Sequence, residues 1–251
     1  MTRNIPNVIT CLNLLCGCLS IVSLLDGRLE AAAYFILAAT VFDFLDGFIA
    51  RLLMASSAIG KELDLLADMV SFGVAPATIM YVLIDKSAHE YAMSLPIELR
   101  HFVPEWIALF AYIIAIFSAL RLAKFNIDTR QSDSFIGMPT PANAMFICSL
   151  VFISSGDNQL AFLAGNFFFL SAVTIVFSYL LVSELPFFSL KFKSFYWKSN
   201  RIRYFFVLIS VLILLILHYA GVALIILVYI ILSIITGKSK IINLSKWTHE
   251  R

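Results

Sequence analysis

The chain has 251 residues, 61% of them hydrophobic and 14% charged, with a formal net charge of +2 and a mean hydropathy of +0.93. A soluble domain averages about 45–50% apolar and about 25% charged residues. The composition therefore excludes a disordered chain, a nucleic-acid binder and an ordinary cytosolic enzyme, and points to one integral membrane unit.

A membrane-crossing helix needs about 20 mainly apolar residues. Taken in order, spans are expected near 8–25, 30–53, 63–84, 104–124, 142–155, 160–182, 204–217 and 219–236. The first run passes into further apolar runs rather than a processing site, so no cleavable leader is expected. The last two spans read either as one very long helix or as a hairpin turning at 218–221. Basic residues decide between them. Eight spans put fifteen of the eighteen Lys and Arg on one side, leaving Arg28, Lys86 and Arg100 on the other. Cytoplasmic loops carry the Lys/Arg excess. The expected fold is thus an all-α polytopic membrane helix bundle of about eight spans with both termini cytoplasmic. The longest polar stretch, 85–104, is expected outside, and the basic, aromatic segment 187–203 along the inner membrane surface. Cys11, Cys16, Cys18 and Cys148 lie in apolar runs without C-x-x-C spacing, so neither a disulfide framework nor a zinc site is expected.

Four acids interrupt the second and third spans: Asp43, Asp46, Asp64 and Asp68. An ionised residue at membrane depth costs a few kcal/mol or more and marks a functional site by default. Asp43 and Asp46 are three apart and Asp64 and Asp68 four apart, so each pair shares a helical face. The short connection between the two helices implies antiparallel neighbours carrying both pairs near their cytoplasmic ends. Converging carboxylates need cations, and oxygen-rich clusters select Mg²⁺, Mn²⁺ or Ca²⁺ over zinc. A two-metal site suited to phosphoryl displacement is the economical reading; a proton or cation pathway and a set of solvated helix-end acids are the alternatives. Gly47 and Ala50 leave a concavity beside the acids, and Arg51 offers a guanidinium to phosphate or else anchors the helix end. Gly60 opens the third helix, as a site residue or as a plain loop glycine.

The spacing Asp43-x-x-Asp46-Gly47-x-x-Ala50-Arg51, eight residues, Gly60-x-x-x-Asp64-x-x-x-Asp68 resembles the signature of the CDP-alcohol phosphatidyltransferase family at all its fixed positions. Three further segments resemble the branch using serine as acceptor. They are Pro6-Asn7-x-x-Thr10-x-x-Asn13-x-x-x-Gly17, the run from Asp68 through Ser71-Phe72-Gly73 to Pro76, and Arg121-Leu-Ala-Lys124-Phe125-Asn126 followed by 137–142. Glycerophosphate-using relatives continue the last acids with a Pro and a Lys that this chain lacks.

The resemblance implies a core over residues 1–182, with 183–251 adding a basic connection and two helices. It implies transfer of a phosphatidyl group from CDP-diacylglycerol to L-serine, giving phosphatidylserine and CMP. Glycerophosphate, inositol phosphate or choline acceptors are the runner-up, and an ion-coupled transporter is a further alternative. It also implies two divalent ions, Mg²⁺ or Mn²⁺ foremost and Ca²⁺ as an option. One is held by Asp43, Asp46 and Asp64, the other by Asp43, Asp64 and Asp68, with Asp68 as general base. Asn7, Thr10, Gly47, Ala50, Arg51 and Gly60 would bind nucleotide and phosphate. Arg121 is the foremost cation for a serine carboxylate, with Ser71, Lys124 and Asn126 as further acceptor residues. Membrane lipids, a homodimeric state, no nucleic-acid partner and an inner-membrane location with a cytoplasmic site complete the expectation.

Overall fold

The computed structural model describes residues 4–55, 57–127, 134–156, 160–188 and 197–249. Helices α1 (Ile5–Leu25) and α2 (Leu29–Leu52) form a tight hairpin, turned at Gly27 with φ +72°. In α1 the usual burial pattern is inverted. Thr10, Asn13, Gly17 and Ser20 face inward, while Val8, Leu12, Leu15, Leu19 and Val22 face outward. That arrangement suits a helix surrounded by lipid, where small residues let backbones approach and the apolar side chains meet acyl tails.

Helix α3 (Ala58–Asp68) starts at Ser57, whose hydroxyl accepts the Gly60 N–H at 3.0 Å. It passes through a π-helical turn, Met69–Val74, into α4 (Ala75–Ser94). Together these make one 37-residue helical stretch. The third span therefore runs ten residues past its expected end, and half of the supposed outer polar stretch is helix. After Pro96 and Pro104, two 3₁₀ segments, Ile97–Phe102 and Glu105–Tyr112, lead into α5 (Ile113–Ile127). A proline fixes φ and removes a donor, which suits the entry to each segment. Helix α4 packs on Glu105–Tyr112 and the π turn packs on α5, so α5 runs antiparallel to the α3–α4 stretch.

Helices α6 (Thr140–Ser154) and α8 (Phe167–Val182) are the shorter apolar pair, joined through the single turn of α7 (Ala161–Ala164). Asn166 caps α8, its Oδ1 accepting the Phe169 N–H at 3.0 Å. A small antiparallel sheet was not expected: β1 (Ser134–Ile136) pairs with β2 (Pro186–Phe188), with Ile136 opposite Pro186. Gly137 follows β1 with φ +82°, and an added Cβ would sit 2.5 Å from the Leu181 carbonyl oxygen, so only glycine fits there.

The last two spans, α9 (Trp197–Leu217) and α10 (Gly221–His249), meet at a 3₁₀ turn, His218–Ala220. A Cβ on Gly221 would lie 2.9 Å from the Ile213 carbonyl oxygen. In a straight helix residues eight apart are separated by about 12 Å, so the chain doubles back here as a hairpin. Helix α10 packs on α9, α6 and β2, while much of α9, including Leu208, Leu215 and Ile216, faces outward. The surface segment expected over 187–203 falls partly outside the described residues. Its described ends are the close of β2 and the start of α9. The molecule is an integral membrane bundle of helices with the small sheet at one end.

Candidate functional site

Asp43 and Asp46 lie nine and six residues before the end of α2, and Asp64 and Asp68 lie six and ten residues after the start of α3. The helices run in opposite directions, so Asp43 faces the level of Asp68 and Asp46 that of Asp64. Carboxylate oxygens of Asp43, Asp64 and Asp68 all lie within 4.8 Å of one another. The two helices are the antiparallel neighbours expected, meeting at the acids. Helix α1 packs against both, and α2 and α3 approach one another chiefly through the acids. The gap this leaves, rather than a tight helix–helix seam, is what the carboxylates line.

Helix α1 supplies the polar partners. Asn13 Nδ2 donates to Asp68 Oδ1 at 3.2 Å, and the Thr10 hydroxyl lies 2.7 Å from Asp46 Oδ2 and 3.0 Å from the Pro6 carbonyl oxygen. Asp46 is buried and held by this contact, outside the mutually close triad. Asp64 Oδ1 is buried with no hydrogen-bond partner among the described residues. An unsatisfied carboxylate oxygen between two other carboxylates is a strong demand for a cation, and an all-oxygen donor set fits a hard divalent ion.

The remaining expected residues divide into two groups. Gly47 sits beside the acids with nothing within 4 Å of an added Cβ, so the wall is open there. Ala50 is half-buried and Arg51 exposed on the same end of α2. Asn7 comes close to Gly60, since an added Cβ on Gly60 would lie 2.8 Å from Asn7 Oδ1. Asn7, Thr10, Gly47, Ala50, Arg51 and Gly60 thus come from the helix ends around one opening.

The second group lies across α1. Ser71 donates its hydroxyl to the Asn13 carbonyl oxygen at 2.9 Å, and an added Cβ on Gly17 would lie 2.6 Å from Ser71 Oγ. The hydroxyl of Ser71, expected among the acceptor residues, ties the π turn to α1. A single-turn π bulge often marks a functional site, and this one begins immediately after Asp68. An added Cβ on Gly73 would come 3.2 Å from Ser118 Cβ, which fixes α5 against the π turn. Arg121 is one turn further along antiparallel α5, which returns it to about the level of Val70, within roughly one turn of Asp68. It is buried, donates from Nε to the Met138 carbonyl oxygen at 3.3 Å, and lies over the Phe125 ring at 5.4 Å. Lys124 is exposed and Asn126 half-buried on the same helix, so they do not share its setting.

Sequence reasoning assigned no role to Asn13, Ser118 or Asn143. Asn13 orients Asp68, and its signal was its place among the inward-facing polar residues of α1. Ser118 Oγ and both amide atoms of Asn143 are buried without hydrogen-bond partners among the described residues. Ser118 precedes Arg121 by one turn, and Asn143 follows the 137–142 segment; nothing in their local sequence marked them.

An acid-lined site in a polytopic helical membrane bundle is thus fitted for a hard divalent ion. The model of the CDP-alcohol phosphatidyltransferase family matches residues 3–180, and the chain belongs to that family. Family members generally depend on divalent metal. The chain is 34% identical to the CDP-diacylglycerol–serine O-phosphatidyltransferase of Helicobacter pylori (strain ATCC 700392 / 26695) over 184 residues, 72% of this chain and 70% of that one. It is 37% identical to the enzyme of the same name from Bacillus subtilis (strain 168) over 183 residues, 73% of this chain and 89% of the relative. The archaetidylserine synthase of Methanothermobacter thermautotrophicus is 32% identical over 187 residues, 73% of this chain and 69% of that protein.

Proposed function

We propose that the chain transfers the phosphatidyl group of CDP-diacylglycerol to the hydroxyl of L-serine, releasing phosphatidylserine and CMP. The observation that carries the reaction class is the triad of Asp43, Asp64 and Asp68 with its oxygens within 4.8 Å, beside an open wall at Gly47. The choice of serine is supported by the printed names of the relatives. Acids confined to facing levels of two helices favour a transfer site over an ion pathway along the bundle.

Asp43, Asp46 and Asp64 would hold one divalent ion, and Asp43, Asp64 and Asp68 a second, with Mg²⁺ or Mn²⁺ the foremost occupants and Ca²⁺ a further one. Bound there, such ions supply positive charge to the pyrophosphate and to departing CMP. The chain's own residues do the rest by positioning. Asn7, Thr10, Gly47, Ala50, Arg51 and Gly60 seat the nucleotide and its phosphates. The serine oxygen forms a bond to the lipid-side phosphorus as the bond to the CMP oxygen breaks. Asp68 takes the serine hydroxyl proton, its carboxylate oriented by Asn13 Nδ2 on Oδ1. Arg121 meets the serine carboxylate, with Ser71, Lys124 and Asn126 as further acceptor residues.

Residues 1–182 form the catalytic unit and 183–251 an addition, a division supported by the family match ending at residue 180. The Lys/Arg distribution supports a cytoplasmic site in the inner membrane with both termini cytoplasmic. A homodimer belongs to the same reading and rests on the family resemblance. The test is CMP release by the purified full-length protein in lipid vesicles containing CDP-diacylglycerol. Serine, glycerophosphate, inositol phosphate and choline are each offered with and without divalent ion. Metal-dependent release with serine alone is expected; release with another acceptor would replace serine in this reading, and metal-independent release would remove the proposed site.

A further inference from the structure

The inward polar face of α1 serves the acids in order, and it leaves one atom over. Thr10 directs its hydroxyl to Asp46 and the Pro6 carbonyl oxygen. Asn13, one turn further, is fully buried and uses only half of its side-chain amide. Its Nδ2 donates to Asp68 Oδ1 at 3.2 Å, whereas its Oδ1 is buried without a hydrogen-bond partner among the described residues. The amide cannot be turned round, because only its N–H end can meet a carboxylate. Nor is its backbone loose. The Asn13 carbonyl oxygen accepts from Ser71 Oγ at 2.9 Å, and an added Cβ on Gly17, one turn on, would lie 2.6 Å from that same Oγ. Nδ2 and Oδ1 share one planar group and are about 2.2 Å apart. The unpartnered oxygen therefore lies no more than about 5.4 Å from Asp68 Oδ1. A buried carbonyl oxygen left unpaired costs the desolvation of that group, so it calls for an occupant. The clustered acids line the gap between α2 and α3. Asn13 is tied instead to the π turn, the element on which α5 with Arg121 also packs.

We infer that Asn13 Oδ1 receives the ammonium group of the acceptor, so that one amide both aims the base and recognises the substrate. In L-serine the amino and hydroxyl groups stand on adjacent carbons. With the hydroxyl donating to Asp68 and the ammonium to Asn13 Oδ1, each at about 2.7–2.9 Å, so small a molecule bridges the two oxygens. Its carboxylate is then left for Arg121, within roughly one turn of Asp68. The three substituents thus have three separate partners. A neutral oxygen suits the ammonium seat. A carboxylate there would repel Asp68 and draw the divalent ions, whereas an amide oxygen accepts an N–H without adding charge. The same seat explains selection among alcohols: glycerophosphate and inositol phosphate carry no ammonium, and the quaternary nitrogen of choline has no N–H to donate. The inference rests on the proposed roles of Asp68 and Arg121 in transfer to serine.

The test compares L-serine with 3-hydroxypropanoate, which lacks the ammonium, and ethanolamine, which lacks the carboxylate. CMP release by the full-length protein in vesicles gives the KM for serine and a competitive inhibition constant for each analogue. The unaltered chain should hold serine roughly ten- to a hundred-fold more tightly than 3-hydroxypropanoate, the size of one charge-assisted hydrogen bond. Asn13→Ala should close most of that gap and leave the gap between serine and ethanolamine in place. Arg121→Ala should do the reverse. Loss of the hydrogen bond to Asp68 in the Asn13 variant lowers turnover of any acceptor, so it moves kcat and not the ratio of serine to its deaminated analogue. Asn13→Leu, close to asparagine in size, repeats the measurement if the smaller residue disturbs the packing of α1. An unchanged ratio in both Asn13 variants, with Arg121→Ala behaving as stated, overturns this inference alone. An unchanged ratio with a raised Mg²⁺ requirement would make Asn13 a metal ligand, and would also overturn it. Absence of serine-dependent CMP release from the unaltered chain overturns the proposed transfer to serine and this inference with it.

Discussion

Around Asp43, Asp64 and Asp68 the chain brings acceptor oxygens together and leaves one of them, Asp64 Oδ1, buried without a partner among the described residues. Around Arg121, roughly one turn away in depth, it does the reverse, setting a single cation against a carbonyl oxygen and an aromatic face. The first region is unfinished as a protein structure and is completed by something that binds. In the second the fold itself supplies contacts to the charge. The contrast follows from what each must do: metal and nucleotide come and go across an open gap, whereas a guanidinium that recognises a small zwitterion must be aimed beforehand. Leaving it to find its aim at each turnover would cost side-chain entropy.

The comparison breaks first at the acids. Chelation of divalent ions is expected to abolish CMP release completely, and Mg²⁺ or Mn²⁺ to restore it. Activity surviving exhaustive chelation would mean that the carboxylates serve some other purpose. Next in size is Asp68→Asn, which keeps the hydrogen bond from Asn13 but removes the proton acceptor. Turnover should fall by about 10²–10⁴, while equilibrium binding of labelled CDP-diacylglycerol persists. Retained turnover would transfer the base role to another group.

The acids were legible in the sequence because charge inside an apolar run has few structural excuses, and their spacing matched helical periodicity. The apolar helices were legible for the same reason, since lipid demands long apolar runs; among the described residues five are long and apolar enough to cross a membrane and two more are shorter. What could not be read was the part α1 plays where α2 and α3 meet. The short connection implied antiparallel neighbours, and the small and polar face of α1, with Gly17 close to Ser71, packs α1 against both. Nor did the π turn after Asp68 announce itself, because one extra residue per turn leaves no mark in composition. The β1–β2 pair was hidden in loops, each strand being only three residues long. The burial of Arg121 was equally invisible: a basic residue at a helix end reads as an interfacial anchor until the segment carrying Met138 folds over it. That difficulty of reading is sharpest for the two basic residues of α5.

Arg121→Ala, third in size, should raise the KM for serine roughly ten- to a hundred-fold, in line with about 1.5–3 kcal/mol for a charge-assisted contact. CDP-diacylglycerol affinity should remain largely intact. If lipid-nucleotide binding is lost instead, Arg121 serves the phosphate side, and the two regions contrasted here are one.

The smallest effect is expected one turn further on. Lys124 carries the same charge as Arg121 and follows it by three residues, and the sequence already ranks it behind Arg121. The structure separates them by surroundings: Arg121 is buried and Lys124 exposed. Exposed charges contribute about 0.2–1 kcal/mol to a contact, because water screens them and a flexible side chain loses entropy on being held. Lys124→Ala should therefore raise serine KM by no more than about five-fold. What effect it has should shrink as salt is raised toward 1 M, where screening acts over about 3 Å. The Arg121 effect should persist at that salt, since its partners are protein rather than solvent. A Lys124→Ala effect as large as that of Arg121→Ala and insensitive to salt would place the acceptor at the water-facing end of α5. The buried seat around Arg121 would then be a feature of the fold and not of recognition.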